Sequence, residues 1–297
     1  MPDRPFKSIF LRAFSTIFPA LINAITDKIY SKFLSECAVD FNIVFVVNGQ
    51  TLSPKILRIL KKQYPSAKYY LYMWDSFSNR PKTIDKLVFF DSISTFDPKD
   101  AIEYSLNFRP LFFSDKKRNI KSSEIQFDWS FIGTSHSDRY SIIKKIISLN
   151  PTKKSFVYLY LQAKWVFWIM KLTNKSLRRS KLNDFKFVPL SKLDVAEVFS
   201  LSGAILDIEH PKQVGLTMRT FEVLGAGKKL ITTNKYIKDY DFYNPNNICI
   251  VDRILPNIPD YFFDSIYQEL PDSLNFKYCI SGWLDNVLNP LDEGLIR

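Results

Sequence analysis

Residues 41–49, FNIVFVVNG, form an unbroken apolar run that ends on a polar residue and a glycine. A run this short and this continuous is the pattern of a strand covered on both faces, the environment of a parallel sheet. A helix follows. Ser53-Pro54 supplies a cap residue and a proline for the first turn, and PKILRILKKQY repeats its apolar positions at helical spacing before Pro65. The alternation then recurs. KYYLYMWD (68–75) predicts a strand ending on Asp75, and KLVFFDS (86–92) predicts another ending on Asp91, before Asp97-Pro98 turns the chain.

A second series begins after the polar stretch 114–126. FDWSFIGT (127–134) reads as a strand closing on Gly133, and SDRYSIIKKIISLN as a helix capped by Ser137. SFVYLYL is a strand, 191–201 a helix, and GAILDI (203–208) a strand carrying Asp207 at its end. A helix over 216–225, the strands KKLITT and NICIVD, and a terminal helix over 275–288 complete the chain. Strands alternating with helices, twice over, predict an α/β protein of two Rossmann-like domains with parallel sheets, 1–120 and 121–297. Ligands of such sheets bind beyond the carboxyl ends of the strands. The residues expected there are Asn48-Gly49, Asp75, Asp91, Gly133-Thr134, Asp207 to His210, and Thr233-Asn234.

Charge and composition narrow the partners. The net charge of +11 favours anionic ones, yet no nucleic-acid-binding motif is present, so nucleic acid is not expected among them. Three scattered cysteines give neither a disulfide framework nor zinc spacing, and two histidines leave no His-rich metal site. A reducing cytoplasm fits. No apolar run is long enough to span a membrane. Residues 6–34 place Phe6, Ile9, Phe10, Ala13, Ile17, Leu21, Ile25 and Ile29 at helical spacing behind Arg4, Lys7 and Arg12. They read as core helices broken at Pro19, as an amphipathic membrane-surface helix, or as a signal peptide, for which a clear small-residue cleavage site is lacking. SFVYLYLQAKWVFWIMKL (155–172) reads as a buried strand and an apolar helix, with membrane dipping as its alternative. The densest basic runs are 116–123 and 172–186.

The richest stretch is DIEHPKQVGLTMRTFE, 207–222, which passes from a strand end through a proline turn to a helix start. Three of the eight glycines, Gly215, Gly225 and Gly227, fall in the thirteen residues 215–227. A helix start presents unpaired N–H groups and partial positive charge, so it holds phosphate. Gly215 admits a close ligand, Thr217 caps the helix or bonds a phosphate oxygen, and Arg219 offers a forked donor to a diphosphate. Glu222, one turn on, could accept the two hydroxyls of a ribose. The alternative is a capped helix with an Arg/Glu surface pair.

GLTMRTFEVLGAGKKLITTN (215–234) resembles the donor-site helix and following strand of bacterial GT-B glycosyltransferases. The resemblance is to the lipopolysaccharide and capsule biosynthesis group related to spore maturation glycosyltransferases. ILDIEHPKQVGLTMR, YMWDSF and SFIGT also look like that group. It implies that Glu222 holds the nucleotide ribose, and that Asp207, Gln213, Gly215, Thr217 and Arg219 belong to the donor site. Gly133, Thr134 and Arg139, with His136, are implied to contact the diphosphate or sugar. His210, a residue type suited to moving protons near neutral pH, reads as a sugar contact or proton-transfer group, and the resemblance implies Asp75 as an acceptor-side base. No cofactor and no metal are implied. The co-substrate is a nucleotide-diphosphate sugar, and the acceptor a glycan or a polyprenyl-diphosphate-linked glycan at the inner membrane face. The DYD triplet at 239–241 resembles the metal-binding motif of the other major glycosyltransferase fold, but helix dipoles and basic side chains are expected to take that role here. Two departures stand out. Val214 occupies the position where many retaining GT-B enzymes carry a second Glu, and the usual glycine-containing first strand is not visible, which implies either a lost first strand or a reduced N-terminal domain. A nucleotide-sugar epimerase and a non-catalytic, membrane-attached scaffold are the alternatives.

Overall fold

The computed structural model describes residues 19–114 and 124–290. The apolar stretch before residue 19 and the basic run 116–123 therefore lie outside the described residues. The chain divides into two compact units, residues 1–110 with 284–297, and residues 111–283.

In the first unit, α1 (Pro19–Glu36) precedes β1 (Ile43–Val47), α2 (Pro54–Gln63), β2 (Lys68–Met73), β3 (Ser92–Thr95), α3 (Pro98–Glu103) and β4 (Asn107–Phe108). The four strands run parallel in chain order, with Val44 beside Tyr69, Leu71 beside Ile93 and Thr95 beside Phe108. The Ser53 hydroxyl accepts the Ile56 N–H at the start of α2, with Pro54 in the first turn. Ile56, Leu57 and Leu60 then pack on Tyr30 and Leu34 of α1 and on Tyr64 and Tyr69. The inner face of α1 is thus part of this core.

The strand expected over KLVFFDS does not form. Residues Pro81–Phe89 make a 3-10 helix, and the strand is β3. Pro81 opens the helix. Its fully buried residues are polar: Thr83 donates to the Asn48 carbonyl at 3.2 Å and the Lys86 ammonium to that of Gly49 at 2.7 Å, while Ile84 and Leu87 pack against the core. Val88 faces solvent. A continuous apolar run is ambiguous between helix and strand, and carbonyls in need of donors decide this one.

The second unit contains β5 (Phe127–Thr134), α4 (Arg139–Leu149), β6 (Ser155–Tyr160), α5 (Lys164–Thr173), α6 (Lys192–Ser200), β7 (Ser202–Asp207), α7 (Met218–Gly225), β8 (Lys229–Thr232), β9 (Ile248–Ile250), α8 (Asp260–Asp264) and α9 (Asp272–Tyr278). It ends within α10 (Ile280–Leu288). Its five parallel strands are ordered β6-β5-β7-β8-β9. The chain steps outward from β5 to β6, then returns across β5 to β7. Trp129, Phe131, Ile143, Ile146, Leu206 and Ile231 lie in the buried core.

Two local expectations change here. The single helix expected over 275–288 is broken at Cys279, whose backbone is extended, because Phe113 pairs with this point: its N–H donates to the Tyr278 carbonyl and its carbonyl accepts from Ile280 N–H. Ser137 does not cap α4 either. Asp138 holds the cap position, and Ser137 sits at φ 47°, a left-handed conformation costly for a residue with a side chain.

Candidate functional site

The order β6-β5-β7-β8-β9 reverses direction between β5 and β7. In an open parallel sheet the connections on either side of such a point leave on opposite faces, and a crevice opens beyond the carboxyl ends of the two strands. Gly133-Thr134 and Asp207 end those strands.

Arg139 links the two ends. Its Nε donates to the Ile208 carbonyl at 2.7 Å and a terminal nitrogen donates to the Thr134 carbonyl at 2.9 Å. Burial lowers its pKa below the ordinary arginine value, and Arg219 and Arg253 push the same way against Asp207 and Glu209. No carboxylate forms an ion pair with it among the described residues, so its guanidinium charge faces the strand ends, offset only from a distance by Asp207 and Glu209. Gly133 makes this arrangement fit. A methyl group there would stand 2.9 Å from the Phe131 ring and 3.2 Å from the Arg139 guanidinium.

The start of α7 is organised by Asp207. One of its carboxylate oxygens accepts the Thr217 hydroxyl at 2.6 Å and the Thr220 hydroxyl at 2.9 Å. Thr217 in turn accepts the Thr220 N–H, so it caps the helix. Asp207 thereby aims the first turn of α7 from the end of β7. Arg219, in that first turn, and Glu222, one turn on, approach to 2.7 Å. Arg219 also reaches the Ile132 carbonyl at 3.3 Å and lies 5.1 Å from the centre of the Phe199 ring. Glu222 remains half exposed.

Beside this pair the surface opens into a cavity of about 370 Å³. Arg219, Glu222 and Lys192 supply its charged lining, and Phe112, Leu190, Val195 and Phe199 are among its apolar walls. Gly225 lines the cavity, lying so close to Phe113 that a Cβ would fall 2.5 Å from the ring, and Gly227, at φ 61°, follows the end of α7.

The remaining expected residues are placed as follows. The exposed His210 ring lies 6.0 Å from that of His136 and accepts the Lys212 N–H through Nδ1. His136 is held neutral: burial, then Arg139, then His210 push its pKa down to about 4. Gln213 donates to the Gly215 carbonyl at 2.8 Å, and Asn234 donates to that of Val214 at 3.1 Å, fixing the loop before α7. Asp75, in the other unit, accepts from Ser76 N–H and Asn79 and pairs with Arg80 at 3.0 Å. Asp241 of the DYD triplet accepts from Lys277 and from the Tyr278 hydroxyl.

Sequence reasoning missed Arg253. It follows β9, and one terminal nitrogen donates to both Asp138 oxygens while the other donates to the Glu209 carbonyl and carboxylate. Glu209 also accepts the Thr233 hydroxyl at 2.5 Å. The signal was the strand-end rule itself: Arg253 lies just past NICIVD, where a ligand-side residue is expected. The Ser137 carbonyl is held from outside the loop by Asn174 and Ser176.

Two all-parallel sheets, with a five-stranded one reversing between β5 and β7, decide the architecture. The fold is GT-B. Anabaena HepE, solved with UDP and glucose, superposes with a TM-score of 0.56 over 97% of this chain and 85% of its own, at 11% identity. AviGT4, a glycosyltransferase involved in avilamycin A biosynthesis, gives 0.54 over 85% and 73%, at 8% identity. The apo form of the lipopolysaccharide outer core galactosyltransferase WaaB gives 0.49 over 90% and 80%, at 11% identity. No protein-family model matches the chain, and no curated protein does. The likeness is one of fold.

Proposed function

We propose that the protein is a glycosyltransferase that moves a sugar from a nucleotide-diphosphate sugar to a glycan or lipid-linked acceptor of the lipopolysaccharide or capsule type. One observation carries this reading: Glu222 stands at the charged side of an apolar cavity, one turn into a helix whose start is fixed at the sheet's switch point. The base lies against Leu190, Val195 and Phe199, the ribose hydroxyls donate to Glu222, and the diphosphate lies toward the start of α7. HepE was solved with UDP and AviGT4 is a glycosyltransferase, which supports the same donor chemistry here.

In the transfer, the bond between the sugar's anomeric carbon and the diphosphate oxygen breaks and a bond to the acceptor oxygen forms. The acceptor hydroxyl gives its proton to the departing diphosphate, directly or through water, and the diphosphate leaves with the electron pair. Arg139, Arg219 and the N–H groups of α7 compensate the charge that develops on it. Because Nδ1 of His210 accepts the Lys212 N–H, the neutral ring carries its proton on Nε2 and presents a donor to a sugar hydroxyl. Asp75, occupied by Arg80 and Asn79, is assigned no proton transfer.

The test is thermal stability against UDP-, GDP-, CDP- and dTDP-sugars for the wild type and Glu222→Ala. A ligand that binds the folded state raises the melting temperature. A rise with one nucleotide, absent in Glu222→Ala, is expected. No rise with any of them in a folded sample overturns the reading.

A further inference from the structure

Helix α5 carries two apolar faces. Phe167 is buried in the core and Val166 and Met170 pack against it. Trp165, Trp168, Ile169 and Leu172, at i, i+3, i+4 and i+7, form the opposite stripe and are 66%, 55%, 52% and 82% exposed. Water-facing tryptophans and long aliphatics on one stripe are not explained by the core, and two indoles favour an environment apolar at one end and wet at the other.

The stretch of chain that carries the stripe has charge of one sign. Between Asp138 and Asp184 the sequence contains no Asp or Glu, but Arg139, Lys144, Lys145, Lys153, Lys154, Lys164, Lys171, Lys175, Arg178, Arg179 and Lys181. Arg139 belongs to the strand-end site, and Lys144 and Lys153 pair with Asp184 and Asp260; the cations on and after α5 are Lys164, Lys171, Lys175, Arg178, Arg179 and Lys181. At 100° per residue, Lys164 and Lys171 fall together along one edge of the exposed stripe. Lys175, Arg178, Arg179 and Lys181, all exposed, follow directly after the helix. A second exposed stripe, Ile25, Ile29 and Phe33 on α1, is bordered by Asp27 and Glu36 as well as by lysines. Among the described residues no helix is long and apolar enough to cross a membrane.

We propose that the outer face of α5 seats the protein on an anionic lipid surface, with Trp165, Trp168, Ile169 and Leu172 in the headgroup–acyl boundary and the cations beside them on lipid phosphates. Apolar area combined with a one-sign basic rim is what such binding requires. The seat adjoins the site described above: Asn174 and Ser176, at the end of α5, donate to the Ser137 carbonyl at 2.7 and 3.0 Å. Docking therefore holds the loop after β5 close to the lipid surface. The inference does not depend on the donor being a nucleotide sugar.

The test uses the full chain with phosphatidylcholine vesicles, with and without phosphatidylglycerol, read by co-sedimentation and by quenching of tryptophan fluorescence by brominated lipid. Binding to the anionic vesicles, weakened by salt, is expected. Lys175→Glu/Arg178→Glu/Arg179→Glu is expected to weaken it by about tenfold or more. Trp165→Phe/Trp168→Phe is expected to retain binding and lose the quenching, leaving the signal of the other three tryptophans. Because all five positions are exposed, circular dichroism and melting of both variants are expected to match the wild type. No binding to anionic vesicles, or binding that neither variant alters, overturns the proposal. So does light scattering that shows self-association abolished by Trp165→Ser/Trp168→Ser in a chain that ignores vesicles.

Discussion

Arg253 holds both carboxylate oxygens of Asp138 at 2.9 Å across 115 residues of sequence. Asp138 starts α4 beyond β5, and Arg253 follows β9, so the contact ties one side of the sheet's carboxyl edge to the other. Its second terminal nitrogen serves Glu209, whose side chain is only 6% exposed.

Removing Arg253 leaves Glu209 buried without its cation. Breaking a buried pair from one side costs about 3–5 kcal/mol, and partial exposure of Arg253 reduces this to about 2–3. Arg253→Leu is expected to lower the melting temperature by about 5–10 °C. Arg253→Leu/Glu209→Gln is expected to recover part of that loss, because the orphaned charge is gone. Equal melting temperatures for the single and double variants, measured by calorimetry, count against a charge clamp.

Gly133→Ala tests the packing of Arg139. The added methyl meets the Phe131 ring at 2.9 Å and the guanidinium at 3.2 Å, and a crowded core costs about 1–3 kcal/mol. The movable partner is Arg139, so nucleotide affinity is expected to fall more steeply than stability. Paired urea unfolding and calorimetric titration separate the two.

These residues show how far the sequence could be read. The strand β5, the helix α7 with its Thr217 cap, and the glycines that end α7 are local patterns, and local patterns survive folding. Arg253 acts on Asp138 through a contact that no local pattern encodes. The segment 86–92 failed for a related reason: its apolar run suits a strand, but the inward Lys86 and Thr83 bond the carbonyls of Asn48 and Gly49, more than thirty residues earlier. Arg219 and Glu222 were legible as neighbours, while the cavity beside them depends on Phe112 and Leu190 from distant segments.

Two groups give opposite pH signatures. Burial raises the Asp100 carboxyl from 3.8 to about 6, so the folded state keeps a proton that the unfolded state has released. Its contribution is present at low pH and is lost as pH rises from about 4 to about 6. His136 falls from 6.5 to about 4, so its contribution is complete above 6.5 and is lost as pH falls toward 4. Each is worth about 1 kcal/mol once solvent screening is allowed for. Asp100→Asn is expected to make stability rise more steeply from pH 4 to 6, and His136→Gln to make it fall or flatten there. Urea unfolding across this range measures both, and two unchanged slopes refute the assignment.

The Arg219–Glu222 pair separates stability from ligand binding. At 2.7 Å with Glu222 half exposed, the pair contributes about 0–1 kcal/mol to folding. In the proposed complex, ribose hydroxyls donating to the same carboxylate are expected to contribute about 1.5–3 kcal/mol per bond. Glu222→Gln keeps the shape and one acceptor but not the charge. It is expected to melt within a degree or two of the wild type while weakening nucleoside diphosphate binding by about tenfold or more. Arg219→Ala also loses its contact with Phe199 and the Ile132 carbonyl, and is expected to lose both stability and affinity. Titration calorimetry on the two variants decides the matter: if Glu222→Gln binds as tightly as the wild type, the carboxylate does not hold the ribose, and Glu222 serves only its ion pair with Arg219.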